Sequence, residues 1–315
     1  MNNNSKRTKI QQIVSEIMRN KITTMPFDFL FRDNIAHYPE TNHKLLGLPG
    51  IFKNIEDTNI FIKGCGNLNM DHLESVLPDD GMIKREAAIN VEQETGKIKN
   101  EKIEVIFNYW LNTMIKLKKP CYPFVATNYE YKSKFLVGFV EGFLFIIYLI
   151  IFYKKRLYKI LNTLNEKDYS KEEFSKEDYV QFTYCMIFAK KPYAEDMMER
   201  LTMLFTSIEN INKEFQYDLH TSLCMMIKYH FNDDEKIMEL ITMITEKMQE
   251  EEMEKLSFIE RMKTQLAEGE IERKQLKSEI SKKDSELSKK DDELSKKDKK
   301  IEYLQTLLIN NNIIF

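Results

Sequence analysis

An apolar stretch of nineteen residues, Phe135 to Tyr153, constrains the fold of this chain more than any other feature. It carries one charge, Glu141, and three basic residues follow it at 154–156. A membrane-spanning helix has this length and a basic flank. A carboxylate in mid-span is costly in lipid, and the residues from Phe143 onward are rich in the β-branched and aromatic types that suit a covered strand. The stretch therefore predicts a buried strand, with a membrane segment as the alternative.

The composition excludes several classes of protein. Nine Gly and seven Pro in 315 residues exclude collagen-like and low-complexity architectures. Four scattered cysteines contain no C-x-x-C pair, so neither a zinc knuckle nor a disulfide framework is expected. The five histidines form no H-E-x-x-H pair, which excludes a zincin. The first residues contain no apolar secretory segment, so we expect reduced thiols and a cytoplasmic protein.

The middle of the chain alternates between strand and helix patterns. The predicted strands are Asn67–Leu77 and Ala87–Glu92, separated by the turn sequence Pro78–Gly81. Apolar residues at three- and four-residue steps predict a helix over Glu101–Lys119, and Tyr122–Thr127 follows as a further strand. This order of elements predicts an α/β fold in which helix and sheet form packed layers.

The flanking regions read as mostly helical. A short helix is predicted over Ile10–Arg19, followed by a polar connector that contains the sequence FDFLFRDN. Residues 157–250 predict an all-helical region, in which Ser175–Asp178 has the spacing of a capping box.

The C-terminal part is charged and contains a seven-residue repeat between Ser281 and Ile301. One apolar position recurs every seven residues, but lysine occupies the companion position in the three middle heptads, which leaves half of a coiled-coil seam. The sequence predicts a long charged helix that is either a weak, dimerising coiled coil or a solvated spacer. The recurring apolar residues are Ile280, Leu287, Leu294, Ile301 and Leu308.

Acidic residues are concentrated in the two strands on either side of the predicted turn. Two adjacent strands would bring Asp71 close to Glu92. Two converging carboxylates can hold a hard divalent cation, which polarises a phosphodiester and lowers the pKa of bound water. Acidic residues near a turn are, however, usually only solvated. The spacing alone therefore leaves both interpretations open.

The order of these segments resembles the Rpn family of recombination-promoting nucleases and transposase-like proteins, which have a PD-(D/E)XK nuclease core. The resemblance is carried by MDHLESVLPDDG, AINVEQET, the helix EKIEVIFNYWLNTMIKLKKP and the strand CYPFVAT. It extends to FDFLFRDN and IIYLIIFYKKRLYKILNTL, and so covers most of residues 25–260. The family has an acid on one strand, E-x-Q on the next, and then a helix with a tyrosine. Asp71, Glu92 and Tyr109 match these positions.

The resemblance implies a restriction-endonuclease-like core with Asp71 and Glu92 as ligands of Mg²⁺ or Mn²⁺. Asp79 is a competing ligand, because Pro78-Asp79 followed by Glu92 also fits the superfamily spelling. The chain departs from the pattern at Glu94, where the family has Gln and the wider superfamily has Lys. Three interpretations stay open: Glu94 is an extra ligand, the alignment slips by one so that Gln93 serves, or the site has decayed.

The charge distribution suits a nucleic-acid partner locally. The whole chain has a net charge of −3, yet residues 82–156 contain thirteen basic and seven acidic residues, a net charge of +6. Phosphate contacts dominate nucleic-acid affinity, so such a basic segment favours DNA binding, although the lysines could equally solubilise an apolar segment. Lys97, Lys99 and Lys102 are the candidate phosphate contacts.

The resemblance therefore implies a Mg²⁺-dependent DNA endonuclease. The alternative is a decayed nuclease fold that binds DNA or a protein partner and dimerises through its C-terminal helix. Neither hypothesis needs a membrane or a small-molecule cofactor. The predicted division is an N-terminal helix and extension (1–24), a nuclease-like core (25–160), a helical domain (161–247) and a charged helical or coiled-coil tail (248–315).

Overall fold

A computed structural model describes residues 3–19, 26–62 and 66–248 of the chain. The heptad repeat and the rest of the predicted tail from residue 249 onward lie outside the described residues. The strands are β1 (Ile51–Ile55), β2 (Asn59–Ile62), β3 (Gly66–Asn69), β4 (His72–Leu77), β5 (Ala87–Glu94), β6 (Cys121–Thr127), β7 (Phe135–Val140) and β8 (Phe143–Ile151). The helices are α1 (Asn3–Arg19), α2 (Pro26–His37), α3 (Pro39–Leu46), α4 (Asn100–Leu117), α5 (Lys154–Tyr169), α6 (Lys176–Phe188), α7 (Ala194–Ser207), α8 (Lys213–His230) and α9 (Asp234–Glu246).

Six strands form one mixed sheet in the order β1-β4-β5-β6-β8-β7. The pairs β1–β4, β4–β5 and β7–β8 are antiparallel, whereas β5, β6 and β8 run parallel to one another. The strands β2 and β3 form a separate antiparallel pair. The predicted α/β class is confirmed, with helices packed against a largely continuous sheet.

The central strands are buried because helix α4 packs on one of their faces. Its residues Ile106 and Phe107 join Val125 of β6 and Ile147 of β8 in one apolar cluster. The strands β5 and β6 are almost wholly buried, as their near-continuous apolar runs require. This packing fixes α4 beside the carboxyl end of β5.

The predicted strand over Asn67–Leu77 is interrupted in the structure. Residues Gly66–Asn69 form β3 and pair with β2, whereas β4 begins at His72 and pairs within the main sheet. Met70 and Asp71 lie at the junction, because the two halves join different sheets. The break places Asp71 immediately before β4.

The apolar stretch is a β-hairpin rather than one strand or a membrane helix. β7 turns at Glu141 and Gly142, both of which have positive φ, and returns as β8 before α5 begins at Lys154. Among the described residues, no helix combines the length and apolar character needed to cross a bilayer.

The helical region confirms one local prediction and corrects another. Ser175 and Asp178 form the reciprocal hydrogen bonds of a capping box at the start of α6. The sequence FDFLFRDN, by contrast, is part of α2 and not a connector. Its apolar residues Phe27, Leu30 and Phe31 are buried at helical spacing against the rest of the chain, an arrangement that the polar residues between them conceal.

Candidate active site

The two predicted acids meet at the carboxyl end of β5. His72 on β4 pairs with Val91 on β5, so Asp71 lies one step farther along, beside Glu92. The backbone N–H of Asp71 donates a hydrogen bond to Oε1 of Glu92 over 3.2 Å. Antiparallel pairing therefore brings together two acids that are 21 positions apart in the chain.

The carboxylate of Asp71 is held by α2 and by the backbone of β5. Its Oδ1 accepts hydrogen bonds from Arg32, at 3.0 Å from Nε and 2.8 Å from Nη2. Its Oδ2 accepts a hydrogen bond of 2.8 Å from the backbone N–H of Gln93. Both oxygens are thus oriented, and the side chain is only 9% exposed.

Glu92 is more deeply buried and is paired with a lysine of α4. Its Oε2 lies 2.8 Å from Nζ of Lys102, and the residue is 1% exposed. Burial and the nearby charge of Asp71 raise the pKa of Glu92 to about 7, although Lys102 acts in the opposite direction. A carboxyl group with a pKa near neutrality is typical of sites that transfer protons or bind cations.

Two further acids extend the negative charge around this pair. Glu94 follows Glu92 by two positions, so strand alternation places it on the same face of β5. Desolvation raises the pKa of Glu94, and the charges of Asp28 and Asp71 act in the same direction. The pKa of Asp28, on α2, is raised by desolvation and by Asp71. We refer to Asp28, Asp71, Glu92 and Glu94 as the acidic cluster.

Helix α4 contributes a cation and a phenol to the acidic cluster. Burial disfavours the charged form of Lys102, but its interactions with Glu92 outweigh this effect and raise the lysine pKa. Tyr109 lies seven residues, or about two helical turns, farther along α4. Burial and the charge of Glu92 raise the pKa of Tyr109 to about 12, so its hydroxyl stays protonated at neutral pH.

The structure separates two other candidates from the acidic cluster. Strand alternation directs the side chain of Gln93 to the face opposite Glu92, and its backbone N–H is what contacts Asp71. Asp79 lies beyond the far end of β4, roughly 20 Å along the strand direction from Asp71. Its carboxylate instead accepts hydrogen bonds from the backbone N–H groups of Gly50, Gly81 and Ile83.

The lysines predicted to contact phosphate lie on one side of the site. Lys97 and Lys99 are exposed in the connection between β5 and α4, whereas Lys102 is half-buried against Glu92. The positive charge of Lys99 acts to lower the pKa of Glu94, although desolvation raises that pKa overall. The approach to the acidic cluster from this connection is therefore cationic.

The acidic cluster offers ligands of the hard-oxygen type. Asp71 and Glu92 supply carboxylate oxygens, which are the donors that Mg²⁺ and Mn²⁺ prefer, and Lys102 and Arg32 already offset their charge. Within the described ranges, no three His, Cys, Asp or Glu side chains are grouped closely enough to hold a metal ion by themselves. The donor chemistry thus fits a cation with two protein ligands and further ligands from water or phosphate.

A second buried polar cluster lies on the other face of β4. Glu74 is fully buried and contacts Nδ1 of His43 at 2.6 Å and Nε2 of His72 at 2.8 Å. Burial would raise the pKa of Glu74, but hydrogen bonds from both histidines lower it. Nε2 of His43 lies 3.0 Å from the carbonyl oxygen of Gly50. Burial acts to lower the pKa of His43, but its hydrogen bonds with Glu74 and Gly50 outweigh this effect and raise it. This group ties α3 to the sheet.

Sequence reasoning did not find the contributions of α2. Asp28 and Arg32 are four residues apart, a spacing that places two side chains on one face of a helix. The four-residue spacing is visible in FDFLFRDN, but it places the two side chains on one face only if the segment is a helix.

Comparisons with protein-family models, with curated proteins and with solved structures found no match for this chain.

Proposed function

We propose that this protein is a metal-dependent phosphodiesterase that cleaves DNA, with a core of the PD-(D/E)XK type. The observation that carries the proposal is the convergence of Asp71, Glu92 and Lys102 at the end of β5. Two oriented carboxylates can bind a divalent ion, and a neighbouring cation can bind the phosphate.

In this proposal Asp71 and Glu92 hold the cation. The bound ion would polarise the phosphodiester and make a hydroxide available near neutral pH. Lys102 lies beside Glu92 and supplies positive charge for the phosphate oxygens, the role that a residue at position 94 has in the resembling proteins. Glu94, whose pKa is raised, would accept a proton from the attacking water.

The order of elements supports the proposal. The resemblance implies an acid before the E-x-Q strand, a helix with a tyrosine and then a short strand after Lys-Pro. The chain has Asp71 immediately before β4, Glu92 on β5 with Glu94 in place of the Gln, Tyr109 on α4, and β6 after Lys119-Pro120. The net charge of +6 in residues 82–156 adds an electrostatic reason for a polyanionic substrate.

A second function, binding without catalysis, is favoured by a specific observation. Arg32 and Lys102 already form ion pairs with Asp71 and Glu92, so the charges of these two carboxylates are offset without a metal. Such pairs would suit a nuclease fold that has kept its DNA-binding surface and lost turnover.

Cleavage of a supercoiled plasmid in the presence of Mg²⁺ or Mn²⁺ tests the two functions. We expect nicking by the wild-type chain, loss of at least about 100-fold in rate with Asp71→Ala or Glu92→Ala, and no effect of the control Glu101→Ala, which changes an exposed acid of α4. Calorimetric titration with Mn²⁺ should show binding that the first two variants lack. DNA binding without metal uptake or nicking would reject the enzyme and favour the binding module.

A further inference from the structure

The hairpin formed by β7 and β8 exposes a continuous apolar face. Its members are three cross-strand pairs, which we call the hairpin face: Phe135–Tyr148, Val137–Ile146 and Phe139–Leu144. All of them except Tyr148 are strongly exposed for large apolar side chains, reaching 69% for Phe139 and 71% for Leu144. Scattered exposed apolar residues need no explanation, but a contiguous group marks an interaction surface.

The opposite face of the same hairpin is covered by α4. There Phe145 and Ile147 are buried under α4, where the ring of Phe145 packs against that of Phe107 at 5.2 Å. Strands that are apolar on both sides are typical of sheets covered on both faces. Among the described residues, nothing comparable to α4 covers the hairpin face. Five of its six side chains are 46–71% exposed, and only Tyr148 is partly covered, by the ring of Phe124 at 5.0 Å.

The size of the hairpin face is close to what a dimer needs. Its strongly exposed members leave roughly 500 Å² of apolar surface in water, taking each side chain as about 150–200 Å². Two such faces together would bury about 1,000 Å², which is about the smallest area expected of a biological interface. The face contains no charged side chain, as in the apolar core of homodimer interfaces.

We propose that the hairpin face binds the hairpin face of a second copy of this chain about a two-fold axis perpendicular to the strands. Charges at the two ends of the hairpin support this orientation. Lys132 and Lys134 precede β7, and Glu141 lies at the turn, all three exposed. Stacked sheets keep their strands nearly aligned, so the antiparallel arrangement brings Glu141 of one copy over Lys132 and Lys134 of the other.

Sedimentation velocity on the full chain over a range of concentrations tests the inference. We expect a dimer whose dissociation constant rises by more than about 30-fold in the double variant Val137→Asp, Phe139→Asp. The control Ile115→Asp changes a residue of α4 that is 65% exposed and lies outside the hairpin face, so it should leave the dimer intact. Circular dichroism of each variant checks that the fold is retained.

A charge exchange tests the orientation without changing the apolar face. Glu141→Lys alone and the pair Lys132→Glu, Lys134→Glu should each weaken the dimer, and their combination in one chain should restore it. A monomeric wild-type chain overturns the inference, as does a dimer that survives the Val137→Asp, Phe139→Asp variant. So does dissociation caused by Leu287→Lys, Leu294→Lys alone, which would assign dimerisation to the heptad repeat.

Discussion

Glu92 combines burial with two charged neighbours, Asp71 and Lys102, and this combination sets its chemistry. The side chain is enclosed, Asp71 repels its charge and Lys102 stabilises it. Because desolvation is the largest effect, the carboxyl holds a proton up to about pH 7, well above its ordinary value of 4.5.

This raised pKa makes the stability of the fold depend on pH in a defined direction. Between pH 4.5 and 7 the folded chain keeps a proton on Glu92 that the unfolded chain has released. The free energy of unfolding therefore falls as pH rises through this window, by at most about 1.4 kcal/mol per pH unit from this group. Glu92→Gln removes the titrating group, so urea unfolding at pH 5, 6, 7 and 8 should show a flatter profile for that variant.

The matched control is Glu101→Gln, which changes an exposed carboxylate on the same helix as Lys102. It should reproduce the wild-type pH profile. A Glu92→Gln variant with the wild-type slope would show that Glu92 is ionised throughout this range.

At the scale of elements, the β7–β8 hairpin depends on the absence of a side chain at Gly138. A Cβ added there would lie 2.2 Å from Cε1 of the Phe145 ring, so the ring covers the glycine directly. Phe145 in turn stacks on Trp110 of α4 with ring centroids 5.8 Å apart. The absence of a side chain at Gly138 therefore allows the hairpin to pack against α4, the helix that carries Lys102.

Replacement of Gly138 should disturb this packing. We expect Gly138→Ala to lower the free energy of unfolding by about 1–3 kcal/mol, the usual cost of overpacking. The fluorescence of Trp110, the single tryptophan of the chain, should shift because its stacking partner must move. Gly96→Ala is the control, since nothing lies within 4 Å of its added Cβ. Equal stability of both variants would contradict the close contact.

At the scale of the whole molecule, charge is divided unevenly along the chain. Residues 82–156, which include β5, α4 and the hairpin, have a net charge of +6 in a chain of −3. Both proposed functions use this positive region to attract the DNA backbone, and they differ only in whether cleavage follows.

The salt dependence of DNA binding measures that contribution. Each phosphate contact contributes about 0.9 to the slope of log K against log salt. Lys97→Ala with Lys99→Ala should therefore reduce the magnitude of the slope by about 1.8, measured by fluorescence anisotropy with a short duplex. The control Lys155→Ala with Lys159→Ala removes two exposed lysines at the start of α5 and should change the slope less. Equal changes would show that the lysines after β5 have no special role.

The local patterns of the sequence determined most of the elements around the site. The strand predicted for AAINVE, the helical spacing after Glu101 and the capping box at Ser175 each depend on neighbours within one element, and the structure has all three. The pairing of Asp71 with Glu92 also followed from sequence, because adjacent antiparallel strands leave few registers.

Only the tertiary structure decided which other side chains complete the site. Asp28 and Arg32 lie on α2, 43 and 39 residues before Asp71, whereas Asp79 accepts hydrogen bonds from the backbone of its own loop. The apolar stretch likewise forms a hairpin. Only one face of this hairpin is buried under α4, because α4 packs on that side alone. Periodicity describes the faces of one element, whereas the partner of each face depends on long-range packing that no local pattern contains.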